Sequence, residues 1–390
     1  MDAGMDAGMD ADMTVDMSGG SDTGAGSGAD VGADAGGASD AAHPCPHCGE
    51  AVGPSDQFCE SCGGGLRVLR GATADHVVGS TSTTCRSCGH DTDAPDTDEA
   101  GDQYCPDCGA LRDDGTDHIE IDLGTIAGVS DRGRLHARNE DAMALGIRAA
   151  TAAAPSVRAA VVCDGVSSVE RPQLASRTAT RSALDVLLTE RGAEVTATTH
   201  LHTAVAAAAK AISTLPYDSG RGAPSCTLVA ALVEDVPART PEVTVAWVGD
   251  SRAYWLTAPG AEEPSAVLTT DHSWAVEIVA LGELDEAAAA ADPRAHAITR
   301  WMGADASDAP SVTQLRPAGP GVLLLCSDGL WNYLPEAADL ASAAFAAGAS
   351  PHEMAAELTQ YAIDSGGRDN ITVVALPVAS GSDLHGGGEQ

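Results

Sequence analysis

Lysine is almost missing from this chain. Lys210 is the only one, and lysine and arginine together make 21 residues against 57 acidic ones, a formal net charge of −36. A chain this acidic repels phosphate backbones, which argues against nucleic acid as a principal partner. Long apolar runs are missing too. No stretch approaches the roughly 20 consecutive apolar residues of a membrane span, so no membrane partner is expected. The N-terminus carries acids and no basic n-region of a secretory signal, so a cytoplasmic chain is expected. Alanine, glycine and aspartate dominate instead, the composition of a chain from a high-GC bacterium. At 390 residues there is room for a sizeable catalytic domain with smaller appendages.

The 11 cysteines divide into two groups. Cys163, Cys226 and Cys326 stand alone in apolar strand contexts and read as buried small hydrophobes. The other eight form four C-x-x-C pairs: Cys45 with Cys48, Cys59 with Cys62, Cys85 with Cys88, and Cys105 with Cys108. Each pair puts two thiolates on one tight turn, and each is followed at once by a glycine (Gly49, Gly63, Gly89, Gly109) that lets the turn close with amides free to point at sulfur. Two such turns face to face make a closed tetrahedral four-thiolate zinc site, so two structural zinc ions are expected. The arrangement resembles a tandem zinc ribbon. His43 and His47 stand nearby, but four thiolates per site suffice without them. Between 43 and 112 there are 4 arginines against 11 acids, so a protein partner for the ribbons, or an autoregulatory role, is the expectation.

Residues 1–42 hold no basic residue and little that could be buried, which predicts a disordered acidic tail. The cysteine-rich part follows at 43–112, interrupted between 66 and 84 by a linker and at 91–102 by an acidic insertion read as a mobile loop. A folded domain is predicted over 118–378, with a frayed Gly/Ser-rich tail at 379–390. Strands are predicted at 120–128, 157–163, 227–233, 243–248, 252–256, 322–326 and 371–376. Helices are predicted at 171–190, 200–213 and from Pro351 to about Asp364, the last opened by the Ser350/Glu353 capping box and closed by Gly366. Many strands with a few long helices suggest stacked sheet and helix layers, an α+β chain without a regular βαβ repeat.

Four aspartates carry the chemistry. Asp141 lies in Arg138-Asn139-Glu140-Asp141, Asp164 in Val162-Cys163-Asp164-Gly165, Asp328 in Cys326-Ser327-Asp328-Gly329, and Asp369 in Gly367-Arg368-Asp369-Asn370. Each short sequence places its aspartate at a strand end or tight turn, and the Asp-Gly step after the apolar runs before Asp164 and Asp328 exposes the carboxylate. One such step is usually only a turn. Four in one domain predict an oxygen-rich site for magnesium or manganese.

In order along the chain, Ser130-Asp131-Arg132-Gly133, Asn139-Glu140-Asp141-Ala142, Asp164-Gly165, Trp247-Val248-Gly249-Asp250-Ser251-Arg252, Thr270-Asp271-His272-Ser273, Ser327-Asp328-Gly329-Leu330-Trp331 and Gly367-Arg368-Asp369-Asn370 resemble the motifs of the metal-dependent serine/threonine protein phosphatases, the protein phosphatase 2C-like or PPM family. The resemblance implies a four-layer α-β-β-α sandwich of two antiparallel sheets flanked by helices. It implies two manganese or magnesium ions bridged by Asp164, with the Gly165 carbonyl on one and Asp328 and Asp369 on the other, while Glu140 and Asp141 hold waters. Two such ions make hydroxide available near neutral pH and neutralise phosphoryl oxygens. A third, weaker ion is implied, with Asp328 and Asp218 among its ligands. Asp250 is expected to fix a turn and pair with Arg252, and Asn370 to orient Asp369.

Two departures from the family pattern stand out. His136 occupies the position where the family places a phosphate-gripping arginine, and Arg134 and Arg138 flank it. A histidine there can donate to phosphate or protonate the leaving oxygen, without arginine's bidentate fork. Val166-Ser167-Ser168-Val169 replaces the usual Gly-rich stretch and offers hydroxyls instead. The expected activity is hydrolysis of phosphoserine and phosphothreonine in proteins, opposing bacterial serine/threonine kinases; a small anti-sigma antagonist is a substrate of the same chemistry. The alternative is a non-catalytic phosphoprotein-binding scaffold recruited through its zinc ribbons.

Overall fold

Strands whose two faces are both buried must be apolar at nearly every position, and this chain builds two sheets from such runs. The computed structural model describes residues 43–44, 50–52, 58–63, 67–77, 84–85, 87–91, 95–98, 102–151, 154–217, 220, 222–235, 239–304 and 309–379. The segments 1–42 and 380–390, read from sequence as disordered, lie outside the described residues.

The main strands are β1 (Val68–Ala72), β2 (His118–Asp122), β3 (Ala127–Asp131), β4 (Ala142–Arg148), β5 (Ser156–Cys163), β6 (Leu228–Asp235), β7 (Glu242–Val248), β8 (Arg252–Leu256), β9 (Ala266–Val267), β10 (Ser311–Leu315), β11 (Gly321–Cys326) and β12 (Ile371–Val378). One sheet runs β10-β7-β6-β5-β4-β1, the other β9-β8-β11-β12-β3-β2, and every pairing is antiparallel. Alternation along each strand divides the core into three slabs. Val162, Val229, Val245, Trp255, Leu323 and Val374 meet between the sheets. On the outer face of the first sheet, Val161, Ala230 and Leu232 pack against α1 (Pro172–Leu187) and α2 (Ala197–Ser213). On the outer face of the second, Tyr254, Leu324 and Val373 pack against α5 (Asp328–Trp331), α6 (Ala337–Ala347) and α7 (Pro351–Asp364). The result is the four-layer α-β-β-α sandwich. Two short helices, α3 (Trp274–Ala280) and α4 (Glu286–Ala290), form a flap between β9 and β10.

The capping box on α7 is present, with Ser350 Oγ accepting from the Glu353 amide at 3.1 Å. Elsewhere the structure corrects the sequence reading. The strand expected over 120–128 is a hairpin of β2 and β3, because Asp122 Oδ1 accepts the Gly124 amide at 2.8 Å and turns the chain. Four of these strands were not predicted: β1, β4, β9 and β10. Residues 68–72, read as part of a linker between cysteine pairs, form β1, which hydrogen-bonds to β4 as the edge of the first sheet. Within the acidic insertion, Asp96–Thr97 pairs with Gln103–Tyr104 as a small hairpin.

A polar bridge ties the second sheet to α7. His118 contacts Asp131 at 2.7 Å and Glu120 at 3.1 Å, and Glu120 also meets His352 at 2.8 Å. The Asp131 hydrogen bond raises the His118 pKa to about 9, against the opposing pull of partial burial. A histidine whose folded pKa is raised contributes stability that is complete below its unfolded pKa of about 6.5 and disappears as pH rises through the folded value. The pair is half-exposed, so the effect is small. His118→Gln should lower Tm by roughly 1–3 °C at pH 6.5 and by nothing measurable at pH 10. Calorimetry at the two pH values checks this, and a pH-independent difference would contradict it.

Candidate metal centre

Sheet register sets the site. Ala142 pairs with Cys163, so Asp141 and Asp164 both fall just beyond the ladder at the strand ends of the first sheet. Cys326 pairs with Val373, which leaves Asp328 and Asp369 at strand ends of the second. Four acids far apart in sequence thereby converge where strand ends of the two sheets meet.

Asp141 is completely buried. Its Oδ2 accepts from Ser327 Oγ at 2.7 Å and Thr372 Oγ1 at 2.8 Å, while Oδ1 is buried without a hydrogen-bond partner. Burial, with Asp369 and Asp328 nearby, pushes its pKa up to about 7 against the pull of the two hydroxyls. Asp164 is raised well above the carboxylate range by burial and by Asp141, Asp328, Asp369 and Asp250. Asp328, whose Oδ2 accepts from Asn332 Nδ2 at 3.1 Å, rises to about 6 through burial and Asp369. Asp369 moves the other way: burial alone would raise it, but His136 and the Asn370 amide hold it below its ordinary value.

Backbone fit is equally tight. A β-carbon on Gly165 would stand 2.8 Å from the Glu140 carbonyl and 2.9 Å from Pro172 Cβ, so only glycine lets the two acidic motifs approach. Asn370 Oδ1 accepts the Glu140 amide at 2.8 Å, and its Nδ2 donates to the Arg132 and Arg138 carbonyls. Asn370 was expected to orient Asp369; its backbone amide does touch Asp369 Oδ1, at 2.9 Å, while its side chain fixes segment 132–140.

These residues fit divalent cations. The donors are hard oxygens, one buried carboxylate oxygen has no partner, and the charges that raise Asp164 most are other carboxylates. The donor set is spread out: among the described residues only the sulfurs of Cys85, Cys88, Cys105 and Cys108 have all their ligand atoms within 4.8 Å of one another. A spread set suits two ions sharing a carboxylate better than one closed cage.

Each candidate phosphate-binding residue faces an acid. His136 Nε2 lies 3.1 Å from Asp369 Oδ1, and that contact raises the imidazole pKa despite burial. Arg134 meets Asp364 at 3.1 Å, and Arg138 meets Asp102 bidentately at 2.9 and 3.3 Å. Asp218 lies outside the described residues. Arg252 pairs with Asp271 at 2.9 and 2.7 Å and stands 3.7 Å over the Trp331 ring, not with Asp250 as expected. Asp250 is instead a buried acid, raised to about 8 by burial and then by Asp328 and Asp271. Sequence reasoning also passed over Ser327 and Thr372, which hold Asp141, and Asp102. Ser167, in the stretch that departs from the family pattern, donates to Glu140 Oε2 at 2.5 Å.

The second cysteine set forms a compact knuckle pair. Cys85 and Cys108 sulfurs lie 3.7 Å apart, as do those of Cys88 and Cys105. A tetrahedron with Zn–S near 2.3 Å has sulfur edges of about 3.8 Å, so the four fit zinc. Gly63, Gly89 and Gly109 adopt φ of +71°, +75° and +70°, the turn the C-x-x-C-G spacing requires, and Cys88 and Ser87 amides draw the Cys85 pKa down to about 6. Cys45 and Cys48, needed for the first set with Cys59 and Cys62, lie outside the described residues. Cys163, Cys226 and Cys326 are buried, as expected of core residues.

No family model matches the chain. Over 150 residues, 38% of this chain and 55% of the relative, it is 33% identical to the serine/threonine phosphatase stp of Listeria innocua, so the match spans about half the length of the curated relatives. Among solved structures, it is similar to the serine/threonine phosphatase of S. agalactiae, with 23% identity, a TM-score of 0.53 and coverage of 65% of this chain and 99% of that one. It is also similar to serine/threonine phosphatase Stp1 of Staphylococcus aureus, with 25% identity, a TM-score of 0.52 and coverage of 67% and 97%. The sandwich is therefore the fold of bacterial serine/threonine phosphatases. Among the described residues no helix is long and apolar enough to cross a membrane.

Proposed function

We propose that this chain is a metal-dependent protein phosphatase that hydrolyses phosphoserine and phosphothreonine and so opposes serine/threonine kinases. The observation that carries the reading is the convergence of Asp141, Asp164, Asp328 and Asp369 at the strand ends of the two sheets, with buried Asp141 and Asp164 raised by the acids around them, in a fold shared with bacterial serine/threonine phosphatases. A scaffold that only bound phosphoprotein would have no use for this buried carboxylate repulsion.

In the proposed arrangement Asp164, the Gly165 carbonyl, Asp328 and Asp369 hold two manganese or magnesium ions. When bound, these supply a nucleophilic water near neutral pH and neutralise phosphoryl charge. Ser327 and Thr372 lock Asp141 on one oxygen and leave the other buried without a hydrogen-bond partner. Ser167 holds the Glu140 carboxylate. His136, whose Nε2 lies 3.1 Å from Asp369 Oδ1, would fix that carboxylate and stand beside the bound phosphate. A third ion would draw on Asp328 and Asp218. Catalysis belongs to 118–378, completed by β1, while Cys85, Cys88, Cys105 and Cys108 hold a structural zinc and the remaining cysteine pairs a second.

Phosphate release from a phosphothreonine peptide by the full chain tests this. Protein prepared free of manganese and magnesium should be inactive, and manganese, not zinc, should restore turnover. Equal turnover without added divalent ion would overturn the reading.

A further inference from the structure

The second cysteine knuckle stands at the lip of the carboxylate centre, and a cleft of about 640 Å³ separates the two. Asp98, Asp102 and Tyr104 line it from the knuckle side, and Glu140, Glu170 and Pro172 from the sandwich side. The knuckle wall is held in place. Asp98 Oδ1 accepts the Asp102 amide at 2.9 Å, Tyr104 donates to Asp98 Oδ2 at 3.3 Å, and Asp102 clasps Arg138 two residues before Glu140. Behind it, Asp114 meets Arg177 at 2.8 Å, Asp117 meets Arg132 at 3.1 Å, and Asn139 Nδ2 donates to the Thr116 carbonyl at 3.1 Å. The knuckle is thus anchored to the same segment that carries Glu140 and Asp141.

We infer that this cleft receives the polypeptide flanking the phosphorylated residue and selects segments with arginine or lysine a few positions away. The inference rests on the phosphatase reading and adds a substrate class to it. A phosphoryl group delivered beside Glu140 brings its own chain with it. At about 3.3–3.6 Å per extended residue, side chains two to four positions away lie roughly 7–14 Å along the chain from the phosphorylated residue. Among the described lining residues the charges are four carboxylates, Asp98, Asp102, Glu140 and Glu170, against two guanidiniums, Arg138 and Arg171. Asp102 already neutralises Arg138, so the cleft keeps a negative balance in a recess that concentrates the field. The Tyr104 ring and Pro172 offer apolar surface to the methylene stem of a lysine or arginine, which keeps its charged head toward the acids. An acidic flank meets repulsion at both walls.

The test is steady-state kinetics of the full chain with manganese on three phosphothreonine peptides that differ only in flanking arginine, alanine or glutamate on both sides. The expected order of kcat/KM is arginine over alanine over glutamate, about tenfold across the set, carried by KM and shrinking in 0.5 M salt. Glu170→Lys and, separately, Asp98→Lys should compress or invert that ratio, and two variants on opposite walls guard against one that disturbs the hairpin. Equal kcat/KM for the three peptides, a preference for glutamate, or an arginine preference unchanged in both variants would overturn the inference. Failure to turn over all three peptides and p-nitrophenyl phosphate would instead overturn the phosphatase reading beneath it.

Discussion

Asp164→Asn should abolish turnover and, in manganese-free buffer, raise the melting temperature. Both follow from one cause. Asp164 is pressed by burial and by Asp141, Asp328, Asp369 and Asp250, so the metal-free fold confines several acids that repel one another. A neutral isostere relieves that repulsion, worth roughly 1–2 kcal/mol or about 2–6 °C for a domain of this size. The gain should depend on pH. Because the folded pKa of Asp164 is raised, the wild-type carboxyl stays protonated at low pH and the two proteins should melt alike near pH 5. As pH rises and the wild-type acids ionise, its stability falls and the variant's advantage grows. Manganese should reverse the order: at about 100 times its Kd an ion stabilises the native state by about 2.7 kcal/mol, and the variant lacks the carboxylate proposed to hold it. Activity on phosphothreonine peptide should fall on the order of 10²–10³-fold or more. Melting scans at pH 5 and 8.5, with and without manganese, check the stability half. An equal manganese response in both proteins, or wild-type turnover in the variant, would remove Asp164 from the metal centre.

The acidic motifs were legible because the strand ends at Asp164 and Asp328 lie where periodicity breaks. The apolar runs 159–163 and 322–326 precede them, and the Asp-Gly step marks their ends without reference to the rest of the fold. Strand β4 was missed for the opposite reason: Ala-Met-Ala-Leu-Gly-Ile-Arg has helix-forming composition, and only pairing with β5 makes it a strand. The partners of charged residues were less legible still. Arg252 with Asp271, and Arg138 with Asp102, join positions 19 and 36 residues apart through the way loops fold back, which spacing does not encode. Asp250 illustrates the cost of a local reading. Gly-Asp-Ser-Arg suggests an ion pair within the turn, yet the arginine reaches the flap and leaves Asp250 facing Asp328. The knuckle glycines, by contrast, follow from local geometry alone, and all three described ones adopt the turn their spacing requires.

Truncation separates the cysteine-rich part from what the sandwich needs. Removing residues 1–66 should leave a folded domain with β1 intact, because the first residue then kept is Arg67, whose carbonyl accepts the Ala149 amide at 2.9 Å. Removing residues 1–117 should be severe. It strips β1 from β4, uncovers Ile121 where Gly71 packs against it, and deletes buried Thr73, whose Oγ1 accepts the Met143 amide at 3.0 Å. It also breaks Arg70–Asp185 at 2.6 Å and Asp75–Arg181 at 3.3 Å, contacts that hold α1 to this edge. The lost ladder and burial together cost roughly 3–6 kcal/mol, about 10 °C or more in Tm. The knuckle leaves in the same deletion, so a point change is needed to assign the effect. Thr73→Val keeps shape and every cysteine while leaving the buried Met143 amide without its acceptor, at about 1–3 kcal/mol. Its Tm should fall by several degrees with zinc content unchanged. If the 1–117 deletion melts with the full chain and Thr73→Val is neutral, β1 is dispensable and the catalytic unit begins where the sequence alone placed it, at 118.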